Sequence, residues 1–246
     1  MAKTFRIDDD VREVLNSATI TDRSVVLVGQ IDRGLYERVN KVLRAAGGRW
    51  SRKERSHVFD RDPRELIQGA TASGVARNLK QETQFFPTPP AIAQRMVRLA
   101  EILPGHTILE PSAGSGNIIR AIPRKTHVTV TAVEIDPGHF ESLTCEAFAV
   151  WVRVLVCDFL GVTTADISPV DRVLMNPPFT KGQDIIHIKH ACAFLKPGGR
   201  MVALCANGPK QRECLMPLAS EWHDLPDGSF LESGTKIKTA MLVLNR

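Results

Sequence analysis

Two different hydrophobic patterns follow one another along the chain. From about residue 87 onward, stretches with helical spacing alternate with short, almost wholly apolar runs. "PPAIAQRMVRLAEIL" (89–103) repeats apolar residues at helical intervals behind a proline, a residue suited to the first turn of a helix. "HTILEP" reads as a strand, "SGNIIRAIP" as a helix, "HVTVTAVEID" as a strand and "GHFESLTCEAFAVW" as a helix. "VRVLVCDFL" and "VDRVLMNPPF" read as two further strands. "DIIHIKHACAFLK" is expected to be a helix closed by "PGG", with "RMVALCA" as the following strand. The tail "GSFLESGTKIKTAMLVLNR" suggests two strands around a Gly-Thr turn. Strands that are apolar on both faces and interleaved with helices predict a mostly parallel sheet covered on both sides, here with an antiparallel C-terminal hairpin.

Residues 1–80 differ. "RGLYERVNKVLRAAGG" (33–48) is an amphipathic helix with glycines at its stop, and "RWSRKERSHVF" (49–59) reads as strand, basic turn, strand. "TASGVARNLKQETQ" (71–84) is polar and reads as a linker. The expected organisation is a small basic α+β domain over 1–80 and an α/β domain over 81–246.

Composition narrows this picture only slightly. The 246 residues are 43% hydrophobic and 24% charged, ordinary for a globular protein. Net charge is +5, and between Arg33 and Arg64 ten Lys/Arg face four Asp/Glu, an excess that suits a polyanionic partner. No run approaches the length of a membrane span, and "MAKTFRIDDDVREV" lacks the apolar core of a secretion signal. Five cysteines (145, 157, 192, 205, 214) have no C-x-x-C spacing and read as reduced thiols, which makes a cytoplasmic location the expectation. His187 and His190 share a helix face, but no third ligand accompanies them, so no metal site is expected.

Candidate chemistry lies at two strand ends. In "ILEPSAGSGNII", Gly114 and Gly116 let a ligand approach the backbone between a strand and a helix. Glu134 ends the next strand 18 residues after Gly116, placed to accept bonds from ribose hydroxyls. Position 119 is Ile where a dinucleotide fingerprint needs glycine, so a nucleoside ligand is expected instead. In "VLMNPPF", Asn176 is followed by two prolines and Phe179. The prolines fix φ and remove two donors, so the strand must end on a rigid step.

These motifs in this order, "PTPPAIAQRMVRLA", "ILEPSAGSGNII", "AVEIDP", "CDFL" and "VLMNPPF", resemble class I S-adenosylmethionine-dependent amino-methyltransferases. The resemblance is to DNA adenine-N6 methyltransferases of the gamma motif order, and "LPDGSFLESGTKIKTAMLVL" resembles the last strands of phage and mobile-element members. It covers about 87–246, roughly two-thirds of the chain. It implies a Rossmann-like methyltransferase sheet with S-adenosyl-L-methionine as cofactor. Phe86, Pro87 and Thr88 match the segment holding the methionine carboxylate, and Glu110, Pro111, Ala113, Gly114 and Gly116 the turn around the methionine end. Glu134 matches the ribose acid, Ile135 an adenine contact, Asp158 the acceptor for the exocyclic amine, and Phe159 a ring packed on the adenine. Asn176, Pro177, Pro178 and Phe179 match the catalytic step, with Asn176 also bordering the cofactor. The implied partner is DNA, with the target base flipped out of the duplex.

Target contacts are expected from Arg49, Trp50, Arg52, Lys53 and Arg55 in the N-terminal turn and from Lys181 beyond the catalytic step. One helix and three strands consume most of the chain after Phe179, which leads to the expectation of a short or loosely specified recognition site. RNA adenine-N6 or DNA cytosine-N4 methylation, and a non-catalytic DNA-binding or anti-restriction protein on the same fold, are the alternatives.

Overall fold

The computed structural model describes residues 4–59, 62–77, 86–139, 143–144, 151–231, 233, 235 and 237–246. The chain divides into two compact units, Met1–Phe85 and Phe86–Arg246.

In the first unit, strands β1 (Thr4–Arg6), β2 (Thr19–Ile20), β3 (Ser24–Val26), β4 (Arg49–Ser51), β5 (Ser56–Val58) and β6 (Val75–Arg77) accompany three helices. These are α1 (Asp9–Ser17), α2 (Arg33–Ala45) and α3 (Arg64–Ser73). β2-β3-β5-β4 form one antiparallel sheet, and β1 pairs with β6. The α2 helix starts because the Asp32 carboxylate accepts the Gly34 and Leu35 amides at 2.8 and 3.0 Å. It stops at Gly47, whose φ is +96°, followed by Gly48, where a Cβ would lie 2.6 Å from the Phe59 ring. Val39, Val42 and Leu43 of α2 pack with Val11 and Leu15 of α1 and Ile67 of α3 in a small apolar core. The expected strand-turn-strand over 49–59 is present as β4 and β5. The linker expected over 71–84 is corrected in its first half. Residues 71–73 finish α3 and 75–77 form β6, because the apolar Val75 and Ala76 pair onto β1; 78–84 lie outside the described residues.

The second unit carries a seven-stranded sheet. Its strands are β7 (Thr107–Glu110), β8 (Thr129–Glu134), β9 (Val152–Val156), β10 (Val170–Met175), β11 (Leu195–Ala206), β12 (Glu221–Asp224) and β13 (Thr239–Asn245). Helices are α4 (Pro90–Leu99), α5 (Asn117–Ala121), α6 (Gln183–Ala191) and α7 (Pro209–Leu215). Strand order is β12-β13-β11-β10-β7-β8-β9, parallel from β11 to β9, with β13 antiparallel to both β11 and β12. Alternate residues of the same strands feed two cores. Ile108, Leu174, Val202, Leu204, Met241 and Val243 enter one, while Leu109, Val173, Met175, Met201, Ala203 and Leu242 enter the other. That alternation explains why the central strands are apolar along most of their length: both faces are covered.

Two expectations for this unit change. The antiparallel C-terminal pair is present, with a first strand other than the one expected. β13 pairs instead with β12, four residues that include Trp222, while Asp227–Leu231 turns on itself. "PGG" does not end a helix. α6 stops at Ala191, and Gly198 (φ +75°) sits in a register shift within β11, a strand irregularity that glycine accommodates. The helix expected over 138–151 falls mostly on residues outside those described.

Candidate active site

Moving outward from β7, the strand order runs to β8 and β9 on one side and to β10 and β11 on the other. In such a sheet the carboxyl ends of the two strands flanking the reversal open a crevice for ligands. Here those strands are β7 and β10, and they end in the glycine turn and in Asn176.

The glycine turn has the backbone its sequence requires. Gly114 and Gly116 have φ of +51° and +83°, a region where side chains with a Cβ are disfavoured. Glu134 at the end of β8 ties this turn down: its carboxylate accepts the Gly114 amide at 2.6 Å and the Asp136 amide at 2.8 Å. Each carboxylate oxygen has a further lone pair, so both bonds leave room for hydroxyl donors. His139 Nδ1 lies 3.7 Å from the same carboxylate. Beneath the turn, Glu110 is only 2% exposed, and its Oε2 has no hydrogen-bond partner. Burial raises its pKa well above the usual carboxylate range, the neighbouring Glu134 charge raises it further, and Arg120 opposes both.

At the end of β8, Ile135 is 61% exposed, an apolar side chain held at a strand end. Cys157 donates its amide to the Glu134 carbonyl at 3.0 Å, which brings the start of "CDFL" alongside. Asp158 is exposed, and its Oδ1 caps the following turn by accepting the Leu160 amide.

Asn176 is fixed through its amide nitrogen. Nδ2 donates to the Phe86 carbonyl at 3.0 Å and to the Thr88 hydroxyl at 3.1 Å, which orients Oδ1 away from both. Thr88 is buried, and its carbonyl accepts from Asn117 Nδ2 at 2.9 Å, while the Pro87 carbonyl accepts from Ser233 Oγ at 2.6 Å. Residues 86–88 therefore bond to Asn176 and to Asn117, the first residue of α5 after the glycine turn. Asn117 and Ser233 were not legible as site residues, since each acts across a long sequence gap on a backbone carbonyl.

Two expected contacts, Phe159 and Phe179, sit differently. Phe159 is 2% exposed and its ring packs against His187, His190 and Phe194 at 4.8–6.0 Å, so it belongs to the core and not to a cofactor face. "DFL" continues an apolar pattern, and core packing wins there. Those contacts also occupy the two histidines, and His190 bonds the Val162 carbonyl at 2.9 Å. Among the described residues no group of three or more metal-binding side chains occurs. Phe179 is 7% exposed, in the cluster that holds Leu225 and Phe230, so its ring is covered. Arg49, Trp50, Arg52, Lys53 and Arg55 are all exposed in the first unit, with Trp50 edge-on to the buried His57. Lys181 is exposed two residues after Phe179.

No family model matches the chain. Ribosomal RNA small subunit methyltransferase A of Thermobifida fusca is 29% identical over 148 residues, 57% of this chain and 50% of that protein. The tRNA (guanine(6)-N2)-methyltransferase of Thermus thermophilus is 30% identical over 142 residues, 52% of this chain and 42% of that one. Type II methyltransferase M.TthHB8I of the same species is 35% identical over 95 residues, 37% of this chain and 20% of that one. The chain spans half the length of these relatives or less. Among solved structures, TrmN from Thermus thermophilus superposes with a TM-score of 0.52 at 22% identity, covering 78% of this chain and 55% of that one. A Listeria monocytogenes protein assigned to the class I S-adenosylmethionine-dependent methyltransferases gives 0.54 at 16% identity, covering 74% and 67%.

The fold is that of the class I methyltransferases.

S-adenosylmethionine is the cofactor of that fold, and the residues of this methyltransferase sheet suit it. The orphaned Glu110 oxygen is an acceptor waiting for a cationic or N–H donor, Glu134 retains lone pairs for hydroxyls, and Ile135 offers an apolar surface.

Proposed function

We propose that the chain transfers the methyl group of S-adenosylmethionine to the exocyclic N6 amine of adenine in DNA. The observation that carries this reading is the fixed orientation of Asn176 at the end of β10, immediately before Pro177, Pro178 and Phe179.

An aromatic amine is a weak nucleophile because its lone pair is delocalised into the ring. Asn176 Oδ1 and the Pro177 carbonyl can each accept one N–H of that amine and draw the nitrogen toward a tetrahedral shape. Both acceptors are preorganised: the first by Phe86 and Thr88, the second by two proline rings. Glu110, Gly114, Glu134 and Ile135, with Thr88 and Asp158, would hold the cofactor. When bound, it supplies a methyl group on a sulfonium sulfur, which departs as a neutral thioether. The amine, now carrying one proton too many, gives it up to water, since an amide oxygen is too weak a base to keep it. Phe179 can stack on the base only after its apolar cover shifts, so substrate entry includes that movement.

A second reading follows from the relatives named for ribosomal and transfer RNA: the same step acting on an RNA base. Labelled cofactor incubated with DNA and with RNA, followed by digestion and identification of the methylated nucleoside, separates the two. N6-methyladenine in DNA is the expected product. Label in RNA alone would establish the second reading, and no transfer to either would remove both.

A further inference from the structure

We infer that Lys181 and Lys210 form a two-ammonium clamp for a backbone phosphate of the nucleic acid, next to the nucleotide being methylated. The inference rests on the proposed nucleic-acid substrate, and Lys210 lies outside every motif that carries the resemblance to methyltransferases.

Lys181 sits in the turn directly after the Asn-Pro-Pro-Phe step. The Gly182 amide closes that turn onto the Phe179 carbonyl at 3.4 Å. Lys181 itself has φ of +57°, a left-handed conformation that disfavours any side chain with a Cβ. Gly182 follows at φ +77°, and a Cβ there would lie 3.3 Å from Lys210 Nζ. The ammonium of Lys210 thus reaches across from α7 to the backbone beside Lys181. A side chain at position 182 would obstruct it.

A buried polar staple holds both lysines in place. Asp184, fully buried in the first turn of α6, accepts the Ala206 amide at 2.9 Å and Gln211 Nε2 at 3.1 and 3.2 Å. Lys181 is three residues before Asp184, and Lys210 immediately precedes Gln211. The end of β11, the start of α7 and the start of α6 are therefore locked together next to the residues that carry the two cations. Several other basic side chains of this unit are ion-paired: Arg212 with Asp224, Lys196 with Asp171, Arg200 with Glu101 and Glu221, and Lys238 with Asp227. Among the described residues, Lys181 and Lys210 have no carboxylate within ion-pair distance. Two exposed, uncompensated ammonium groups on a stapled turn beside a catalytic step suit a phosphodiester, whose charge is fixed at neutral pH.

The test uses the full chain, a fluorescein-labelled DNA duplex, or an RNA hairpin where the wild type methylates RNA. Lys181→Gln, Lys210→Gln and the double variant are compared by binding across a salt series and by steady-state kinetics. Each substitution is expected to weaken binding about two- to fivefold at moderate salt. The double variant should reduce the slope of log K against log [salt] by about 0.7–0.9 for each phosphate no longer neutralised. KM rises while kcat changes little, and cofactor affinity, measured calorimetrically, stays at the wild-type value, which confirms folding. A neutral methylphosphonate linkage beside the target nucleotide should reproduce the loss in the wild type and add nothing in the double variant. An unchanged salt slope in a folded double variant, or a methylphosphonate penalty that persists in it, overturns the clamp. Absence of methyl transfer by the wild type to either nucleic acid would instead overturn the reading beneath it.

Discussion

Asn176 divides its amide between two tasks, and the division sets what a substitution does. Its nitrogen is spent on Phe86 and Thr88, so removing the side chain costs both the acceptor for the substrate amine and the anchor of residues 86–88. Asn176→Ala is expected to lower kcat on the order of 10²–10³-fold, the scale of losing one preorganised hydrogen-bonding group at a reacting atom. Thr88→Val keeps the Asn176 side chain but removes one of its two acceptors; it should lower kcat by less, and steady-state kinetics on both variants checks the order. Glu110 makes a pH prediction. Its pKa is raised in the folded chain, first by burial and then by Glu134, so its neutral form suits the fold. Cofactor-free stability is therefore full below the ordinary carboxylate range and declines as pH rises toward the raised value. Glu110→Gln should flatten that decline in denaturant midpoints measured across pH; an identical slope in both proteins would refute it. The Asn-Pro-Pro-Phe step was legible because it breaks a strand with two prolines. Its orientation was not, because the partners lie about 90 residues away in sequence.

At the scale of elements, the site depends on how β7, β10 and α4 are joined at the opposite end of the sheet. Arg172, buried in β10, donates to the Ala100 and Glu101 carbonyls, and Arg200 of β11 donates to the Leu99 carbonyl. Two strands thereby satisfy the orphan carbonyls of the α4 C-terminus, where positive charge also meets the helix dipole favourably. Beside them, the Asp171 carboxylate accepts the Thr107 amide and hydroxyl and the Lys196 ammonium at 2.8–2.9 Å, linking the N-terminal ends of β7 and β10 to β11. Burial alone would push Asp171 up, but these bonds outweigh it and hold its pKa well below the usual range. A lowered carboxylate stabilises the fold above its unfolded pKa and loses that contribution as pH falls toward the folded value. Asp171→Asn is expected to cost about 2 kcal/mol near neutral pH, with the gap to the wild type closing in acid, as chemical denaturation would show. The apolar runs predicted these elements but did not single out Asp171 and Arg172 at the head of β10. Patterning identifies which residues are buried, not which carbonyls a buried arginine will find. It failed likewise at "PGG", and it found the antiparallel C-terminal pair but not its first strand, β12, because strand pairing overrode local turn preference.

On the scale of the whole molecule, exposed positive charge occurs in both units, and the proposed nucleic-acid substrate makes each patch testable. The first unit exposes Arg49, Arg52, Lys53 and Arg55 on a β4–β5 turn, with Arg55 in a left-handed conformation at φ +51°. Trp50 is neither fully buried nor free: its ring meets His57 in a T-shaped contact at 5.2 Å, and His57 is itself held by Asn40 at 3.0 Å. That support keeps the indole face in place while leaving part of it open for stacking. Arg52→Ala/Lys53→Ala/Arg55→Ala is therefore expected to weaken nucleic-acid binding and to flatten its salt dependence, by about 0.7–0.9 in slope for each phosphate left unneutralised. Where the two sets meet separate phosphates, their losses add in free energy, so the fold-weakenings multiply when the two sets are combined. Fluorescence anisotropy on the two sets and their combination decides between outcomes. Multiplying effects place the two patches on separate phosphates. A combined variant no weaker than Lys181→Gln/Lys210→Gln alone would mean that the β4–β5 turn meets no phosphate and serves only as a solvated hairpin.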